Sequence, residues 1–357
     1  MFSNLRSLIF KLDPETAHSL AIKSLKLNFV PNILNEEKND PLFKTELFKK
    51  KLENPIGIAA GFDKNAEVYN TLFKLGFGFV EVGTVTPLKQ HGNPKPRVFR
   101  LIKDEALINR LGFNNLGAKN VLDRINRNNP TGLLGINIGP NKDTQEKMSD
   151  YIECLKTFNG VADYITINIS SPNTENLRSF HNQKKLDELL QTLDEEKKNL
   201  NSKTPIVVKI SPDINDQEIV KISEVLLSNN IEAVIISNTS DSTRNELKNI
   251  QGHQKGGLSG KPIGLKSTEL VRKFYKILNG KIKIIGVGGV DSGRSAYEKF
   301  IAGANCVQLY TGMVFRGPNI VNLIKKELKE LLLKDGVNRF ICSSCLVAPI
   351  QYLFRYL

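Results

Sequence analysis

Four cysteines in 357 residues are too few and too scattered for a disulfide framework, which suggests a reducing compartment. Cys342 and Cys345 form a C-x-x-C, but no second Cys or His pair completes a zinc site. No metal is expected. There are only four histidines and no G-x-S-x-G, so a Ser-His-Asp hydrolase is poorly supported. No run of roughly 18 apolar residues is present to cross a membrane. Residues 2–12 are apolar but broken by Arg6 and Lys11, with no small-residue cleavage site after them, so no signal peptide is expected. Basic residues are not interleaved with aromatics, which argues against nucleic acid as a partner.

What is present fits a soluble globular chain with a sizeable core. The hydrophobic fraction is 40% and the mean hydropathy −0.24. The net charge of +13 is read first as lysines on solvated helix faces, and second as attraction to an anionic membrane surface.

Apolar, β-branched runs recur at 55–60, 78–83, 133–138, 163–169, 205–210, 232–237, 282–287 and 305–310. Helix-like segments follow each at 64–75, 115–128, 144–159, 182–199, 216–229, 266–279, 293–302 and 317–334. Eight strands alternating with eight helices are the arithmetic of a (β/α)₈ TIM barrel in the α/β class. A doubly wound sheet is the competitor. It would carry a Gly-rich dinucleotide turn after its first strand, and Ala60-Gly61-Phe62-Asp63-Lys64 is not one. Before the first strand lie two amphipathic helices. One stripe holds Leu5, Leu8, Ile9 and Leu12. The other, after the N-cap signal Asp13-Pro14, holds Ala17, Leu20, Ala21, Ser24 and Leu25. They are either a plug on the barrel or a hood dipping into a bilayer interface.

Barrel chemistry sits at the carboxyl ends of the strands. Those ends are polar or glycine here: Gly61 to Lys64, Thr84, Asn137, Asn168 to Asn173, Lys209, Ser237 to Thr239, Gly288-Gly289 and Tyr310-Thr311. The densest is Asn168-Ile169-Ser170-Ser171-Pro172-Asn173-Thr174, which can grip a planar molecule rich in amides and present a hydroxyl to it. The glycines after strands seven and eight suit a phosphate. Lys64 and Lys209 are costly near strand ends unless they meet an anion, so ligand contact is favoured over snorkelling into solvent.

The segments Ala59 to Asn65, Glu81 to Pro87, Gly92 to Arg97, Asn109 to Asn114, Asn168 to Thr174, Gly256 to Gly260 and Gly286 to Gly293 resemble dihydroorotate dehydrogenase. The resemblance runs in order over roughly residues 5–335. It implies one FMN per chain, oxidation of dihydroorotate to orotate in pyrimidine synthesis, and the membrane-associated, quinone-reducing class. Soluble relatives have cysteine where Ser171 stands and lack an extension like residues 1–50.

By that resemblance Ser171 is the catalytic base. Thr174 and Phe113 would help shape a water path for its proton. Lys64, Asn109, Arg110, Leu111, Gly112, Phe113, Asn168, Asn173, Asn238 and Thr239 would hold the substrate. FMN would meet Ala60, Gly61, Phe62, Asp63, Lys64, Thr84, Asn137, Asn168, Lys209, Ser237, Gly260, Gly289, Tyr310 and Thr311. His18, Val98, Arg100 and Tyr310 would line a quinone tunnel under the N-terminal helices. The implied division is residues 1–50 for quinone and membrane contact, 51–336 for the FMN-binding barrel, and 337–357 as an apolar tail matching no family pattern. A monomer on the cytoplasmic face of a bacterial cell membrane is expected. The alternatives are a fumarate- or NAD-linked FMN enzyme of the same fold, or a barrel lyase or isomerase acting on a phosphorylated substrate.

Overall fold

The computed structural model describes residues 2–28, 40–174, 176–242 and 244–337. The C-terminal tail, with Cys342 and Cys345, lies outside the described residues apart from Val337. In chain order come α1 (Phe2–Ile9), α2 (Pro14–Lys26), β1 (Thr45–Leu47), β2 (Lys50–Leu52), β3 (Ile56–Ile58), α3 (Tyr69–Lys74) and β4 (Phe79–Val85). Then follow β5 (Val98–Leu101), β6 (Ala106–Asn109), α4 (Ala118–Arg127), β7 (Leu133–Ile138), α5 (Lys147–Phe158), β8 (Tyr164–Asn168), α6 (Gln183–Asn199) and β9 (Ile206–Ile210). The chain ends with α7 (Asp216–Ser228), β10 (Ala233–Ile236), β11 (Gly257–Gly260), α8 (Gly264–Leu278), β12 (Lys283–Val287), α9 (Gly293–Ile301), β13 (Cys306–Leu309), α10 (Thr311–Arg316) and α11 (Ile320–Lys334).

Strands β3, β4, β7, β8, β9, β10, β12 and β13 close a parallel barrel in that sequence order. They are the eight expected strands. Each is buried along nearly its whole length, which is why they read as continuous apolar runs and not as alternating ones. Their outer faces pack on the helices. For α6 the buried residues are Leu186, Leu189, Leu190 and Leu193, the predicted stripe.

The expected helix from residue 64 begins only at Tyr69. Asp63 delays it, because its carboxylate accepts the N–H groups of Glu67 at 2.8 Å and Val68 at 2.7 Å. The expected helix from residue 317 begins at Ile320, because α10 ends at Gly317 in the left-handed region at φ 85°.

Two elements go beyond the alternating pattern. Strands β1 and β2 form a hairpin that straddles residue 50. Its inward residues Leu47 and Leu52 join Phe79, Leu133 and Tyr164 near the amino ends of barrel strands, closing the base. The plug is therefore this hairpin, not the N-terminal helices. Strands β5, β6 and β11 form an antiparallel sheet beside the mouth. Helix α2 carries the predicted cap, Asp13 accepting the Thr16 N–H at 2.9 Å with Pro14 at the first helical position.

Candidate active site at the barrel mouth

The mouth is organised from below by a carboxylate. Glu81, fully buried on β4, accepts four hydrogen bonds: Asn137 Nδ2 at 2.9 Å, the Tyr164 hydroxyl at 3.0 Å, the Thr166 hydroxyl at 3.1 Å and Gln308 Nε2 at 3.1 Å. Donors on three other strands satisfy one buried carboxylate, which fixes the strands' relative height. Asn137, so oriented, accepts from Thr84 Oγ1 at 2.6 Å and Asn168 Nδ2 at 3.1 Å. The layer above is thereby set.

Asn168 accepts in turn from Ser170 Oγ at 3.1 Å and from Asn238 Nδ2 at 3.3 Å. Asn238 also donates to Ser170 Oγ at 2.9 Å. Asn173 Nδ2 donates to the Asn109 carbonyl at 3.1 Å. Four asparagines, two at strand ends (Asn109, Asn168) and two in loops (Asn173, Asn238), thus line one cavity with Ser171, which is 6% exposed. Ser171 Oγ accepts the Asn173 N–H at 3.2 Å. His181 does not assist it: this buried imidazole accepts the Ser211 N–H at 3.1 Å, and burial holds it below its usual pKa.

Of the residues expected around the substrate, all but Arg110 line one cavity with Ser171. Of those expected around the cofactor, all but Phe62, Asp63 and Asn137 line it too. Arg110 instead donates to Gln254 Oε1 at 3.0 Å and lies over the Phe99 ring. Asp63 caps its own turn, and its carbonyl accepts the Gly83 N–H at 3.0 Å. Asn137 supports the wall from beneath.

Three lysines line this cavity: Lys64 and Lys209 at or beyond strand ends, and the exposed Lys261. Burial pulls Lys64 down to about 8, against the pull of the Glu15 carboxylate, and its ammonium donates to the Gly61 carbonyl at 3.0 Å. Burial also lowers Lys209, with the Glu81 charge opposing it. At the far side Gly260 and Gly289 bring backbone close together. A Cβ on Gly289 would meet Gly264 Cα at 2.4 Å, and one on Gly260 would meet the Glu105 carbonyl at 2.4 Å, so only glycine fits either place. Gly264 opens α8, so a helix N-terminus adjoins the cradle.

A second, mostly apolar cavity lies under α1 and α2. It holds all four residues expected for the tunnel: His18, Val98, Arg100 and Tyr310. Its wall shares Lys64, Val98, Leu107, Leu111 and Tyr310 with the first cavity. His18 packs edge-on to Phe62 at 5.3 Å and stacks on Tyr310 at 6.3 Å. Burial, then the Lys64 charge, hold His18 near 3, so its imidazole is neutral. Arg100 donates to the carbonyls of Phe10 and Leu12, both at 3.2 Å, and pins the α1–α2 turn over the opening.

Sequence reasoning missed Glu81, Gln308, Arg97 and Arg178. Glu81 and Gln308 gave a signal: each is a large polar side chain inside a buried strand. Arg97 pairs with Glu15 of α2 at 2.7 Å and 3.1 Å. Arg178 follows the Ser171 loop and ties it down, donating to the Ser170 carbonyl, Asp213 and Thr239 carbonyl at 3.3 Å each and to Asp241 at 2.9 Å. Nothing local marked either arginine.

Comparison with known proteins follows the same geometry. The family profile described as dihydroorotate dehydrogenase matches residues 42–332. The dihydroorotate dehydrogenase (quinone) of Bartonella henselae is 46% identical over 338 residues, covering 93% of this chain and 92% of that protein. The protein of the same name from Parvibaculum lavamentivorans is 43% identical, covering 94% and 95%. A crystal structure of the Eimeria tenella enzyme in complex with ferulenol superposes with a TM-score of 0.88 at 37% identity, covering 92% of this chain and 94% of that one. Among the described residues no helix is long and apolar enough to cross a membrane.

Proposed function

The chain belongs to the dihydroorotate dehydrogenase family, and we infer its activity to be the quinone-dependent oxidation of dihydroorotate to orotate in pyrimidine synthesis. One observation carries the reading of the site. A cavity lined by Ser171 and four asparagines shares a wall with a mostly apolar cavity under amphipathic helices. The first suits a ring of amide and imide groups, the second a hydrophobic quinone.

The residues fit FMN. The Lys209 ammonium is buried with no hydrogen bond to another described residue, so it awaits an anionic or strongly accepting partner. The Gly260–Gly289 cradle offers close backbone approach to a phosphate. Thr84, Asn168 and Ser237 supply hydrogen bonds along the wall between them. Bound there, FMN supplies the hydride acceptor and the electron path to quinone.

Lys64 meets the substrate carboxylate as a cation at neutral pH. Asn109, Asn168, Asn173 and Asn238 read the ring's donor and acceptor edges. Ser171 Oγ takes a proton from the ring CH₂ beside a carbonyl. The Asn173 N–H on that oxygen stabilises negative charge as its own proton departs. Thr174 and Phe113 flank the exit of that proton. Lys209 would stabilise negative charge on the bound cofactor, with the Glu81 charge helping to keep it a cation. His18, Arg100, Val98 and Tyr310 border the route for quinone, and exposed leucines of α1 and α2 rest in the membrane interface. The protein is peripheral, held by this hood and by its positive charge on an anionic cytoplasmic leaflet.

The test is anaerobic stopped-flow on the purified protein. It should be yellow with one FMN per chain, bleach with dihydroorotate, and regain its colour with a long-tailed quinone. Colourless, folded protein that takes up no added FMN overturns the flavin reading.

A further inference from the structure

The mechanism leaves one buried cation unused. Lys299, on α9, is 1% exposed. Its ammonium donates to Ser267 Oγ at 3.0 Å and Thr268 Oγ1 at 3.1 Å, both in the first turns of α8. Among the described residues no carboxylate comes within salt-bridge distance of it. A buried ammonium held only by hydroxyls is expensive. Burial pulls its pKa down to about 7, with only the Glu298 charge opposing.

Its position gives the cost a purpose. The Lys299 stem lies behind β12, where a Cβ on Gly286 would meet its Cδ at 2.9 Å. Ser267, which receives the ammonium, donates to the Val287 carbonyl and packs behind Gly288, whose Cβ would lie 3.2 Å from Ser267 Oγ. Val287, Gly288 and Gly289 line the cavity on their other side. One layer of backbone thus separates Lys299 from the glycine cradle.

The cradle's front has no net charge to offer. Glu105, Lys261 and Asp291 line it, and Arg316 bridges Glu105 at 3.2 Å and Asp291 at 3.3 Å. Lys261 reaches Glu105 at 3.4 Å. Two acids and two bases cancel, while a phosphate monoester brings nearly two negative charges.

Resting on the FMN reading, we propose that Lys299 is a positioning residue for the cofactor phosphate. It supplies from behind the cradle the positive charge that the front lacks, through the α8 hydroxyls and the β12 backbone. It does not touch the phosphate.

The experiment compares Lys299→Met and Lys299→Gln with wild type in the full chain, stripped of flavin and titrated with FMN or riboflavin by fluorescence quenching. Removing an unpaired buried charge is expected to leave the flavin-free fold at least as stable, read as its Tm. FMN affinity should fall roughly tenfold or more in both variants, with riboflavin affinity within about twofold of wild type. Equal losses for FMN and riboflavin, or no loss for FMN, overturn the proposal. If neither variant folds, Lys299 is structural and the proposal is overturned. Wild type that binds neither flavin sinks the FMN reading instead.

Discussion

The barrel mouth and the N-terminal hood solve opposite problems with opposite means. The mouth is buried and cross-linked: Gln308, Glu81, Asn137, Asn168 and Asn238 form one hydrogen-bonded chain across five strands or strand ends. The hood is barely anchored. Helix α2 has no fully buried residue, while Leu8 is 61% exposed and Leu27 79%. It is held by separate polar clasps: Arg97 to Glu15, Arg100 to the α1–α2 turn, Thr71 Oγ1 to the Leu25 carbonyl at 3.0 Å, and Arg6 to the Phe315 carbonyl at 3.2 Å. Proton and hydride chemistry needs atoms held within fractions of an ångström. Admitting a greasy substrate from a bilayer needs apolar surface that can shift. The two cavities share a wall but little else, so each should fail alone.

The largest expected effect lies in the mouth. Ser171→Ala should slow flavin reduction by dihydroorotate by about 10²–10⁴, the usual cost of a lost general base. FMN content and orotate binding should be retained, because Ser171 donates to none of the groups that shape the cavity. Stopped-flow reduction at wild-type speed would remove the serine from that role.

Deleting the residues before Asp40 breaks the comparison from the other side. Reoxidation by a long-tailed quinone should fall by more than about tenfold, and sedimentation with anionic vesicles should drop with it, as the apolar face is lost. Single-turnover reduction by dihydroorotate should stay near wild type. Bound FMN must be measured alongside, since the deletion uncovers apolar surface around Phe62 and Tyr310. Undiminished quinone reduction would make the hood mere packing.

These contrasts also explain what was legible in the residues. Barrel strands are buried on both faces, so each announces itself as an apolar run, and each polar strand end stands out against it. The hood was legible because Asp13-Pro14 marks a helix start and the leucines keep helical spacing. The β5–β6–β11 sheet was not: its strands span four residues each and carry Arg100, Asn109 and two glycines, too short and polar for a period to show. The base hairpin offers one inward residue per strand, Leu47 and Leu52. The Arg97–Glu15 clasp joins residues 82 apart in sequence, and Lys299 gains its setting only when α8 and α9 pack. Long-range pairing of charges leaves no local pattern.

A smaller effect probes the wall between the regions. Lys64 is half-buried, and desolvation pulls its pKa down to about 8. Its cation is present below that value and lost above it, so an anion it holds binds well at pH 7 and progressively worse as pH rises. The dissociation constant for orotate, followed by its perturbation of the flavin spectrum, should be flat from pH 6 to 7. It should then climb toward about tenfold per unit above pH 8. In Lys64→Gln the climb should vanish and binding should be weak throughout. A flat profile in wild type would mean that Lys64 does not carry the anion.

The smallest effect belongs to a charge of the hood that acts on the mouth. Glu15 sits on α2, pairs with Arg97 across the junction and raises Lys64 from its depressed value. The pair is partly buried, with side-chain exposures of 8% for Arg97 and 17% for Glu15. Its loss should therefore cost somewhat more than a surface ion pair, but Arg97 keeps the carbonyls of His91 at 2.6 Å and Asn93 at 2.9 Å as acceptors. In Glu15→Gln the KM for quinone should rise by about fivefold as the clasp loosens. The orotate titration should bend at a slightly lower pH than in wild type, because Lys64 loses the charge that raised it. Single-turnover reduction at pH 7 should hardly change, since the Ser171 loop is tied by Arg178 to Asp213 and Asp241 and not to the hood. If that reduction collapses instead, the hood is shaping the mouth, and the independence of the two cavities is wrong.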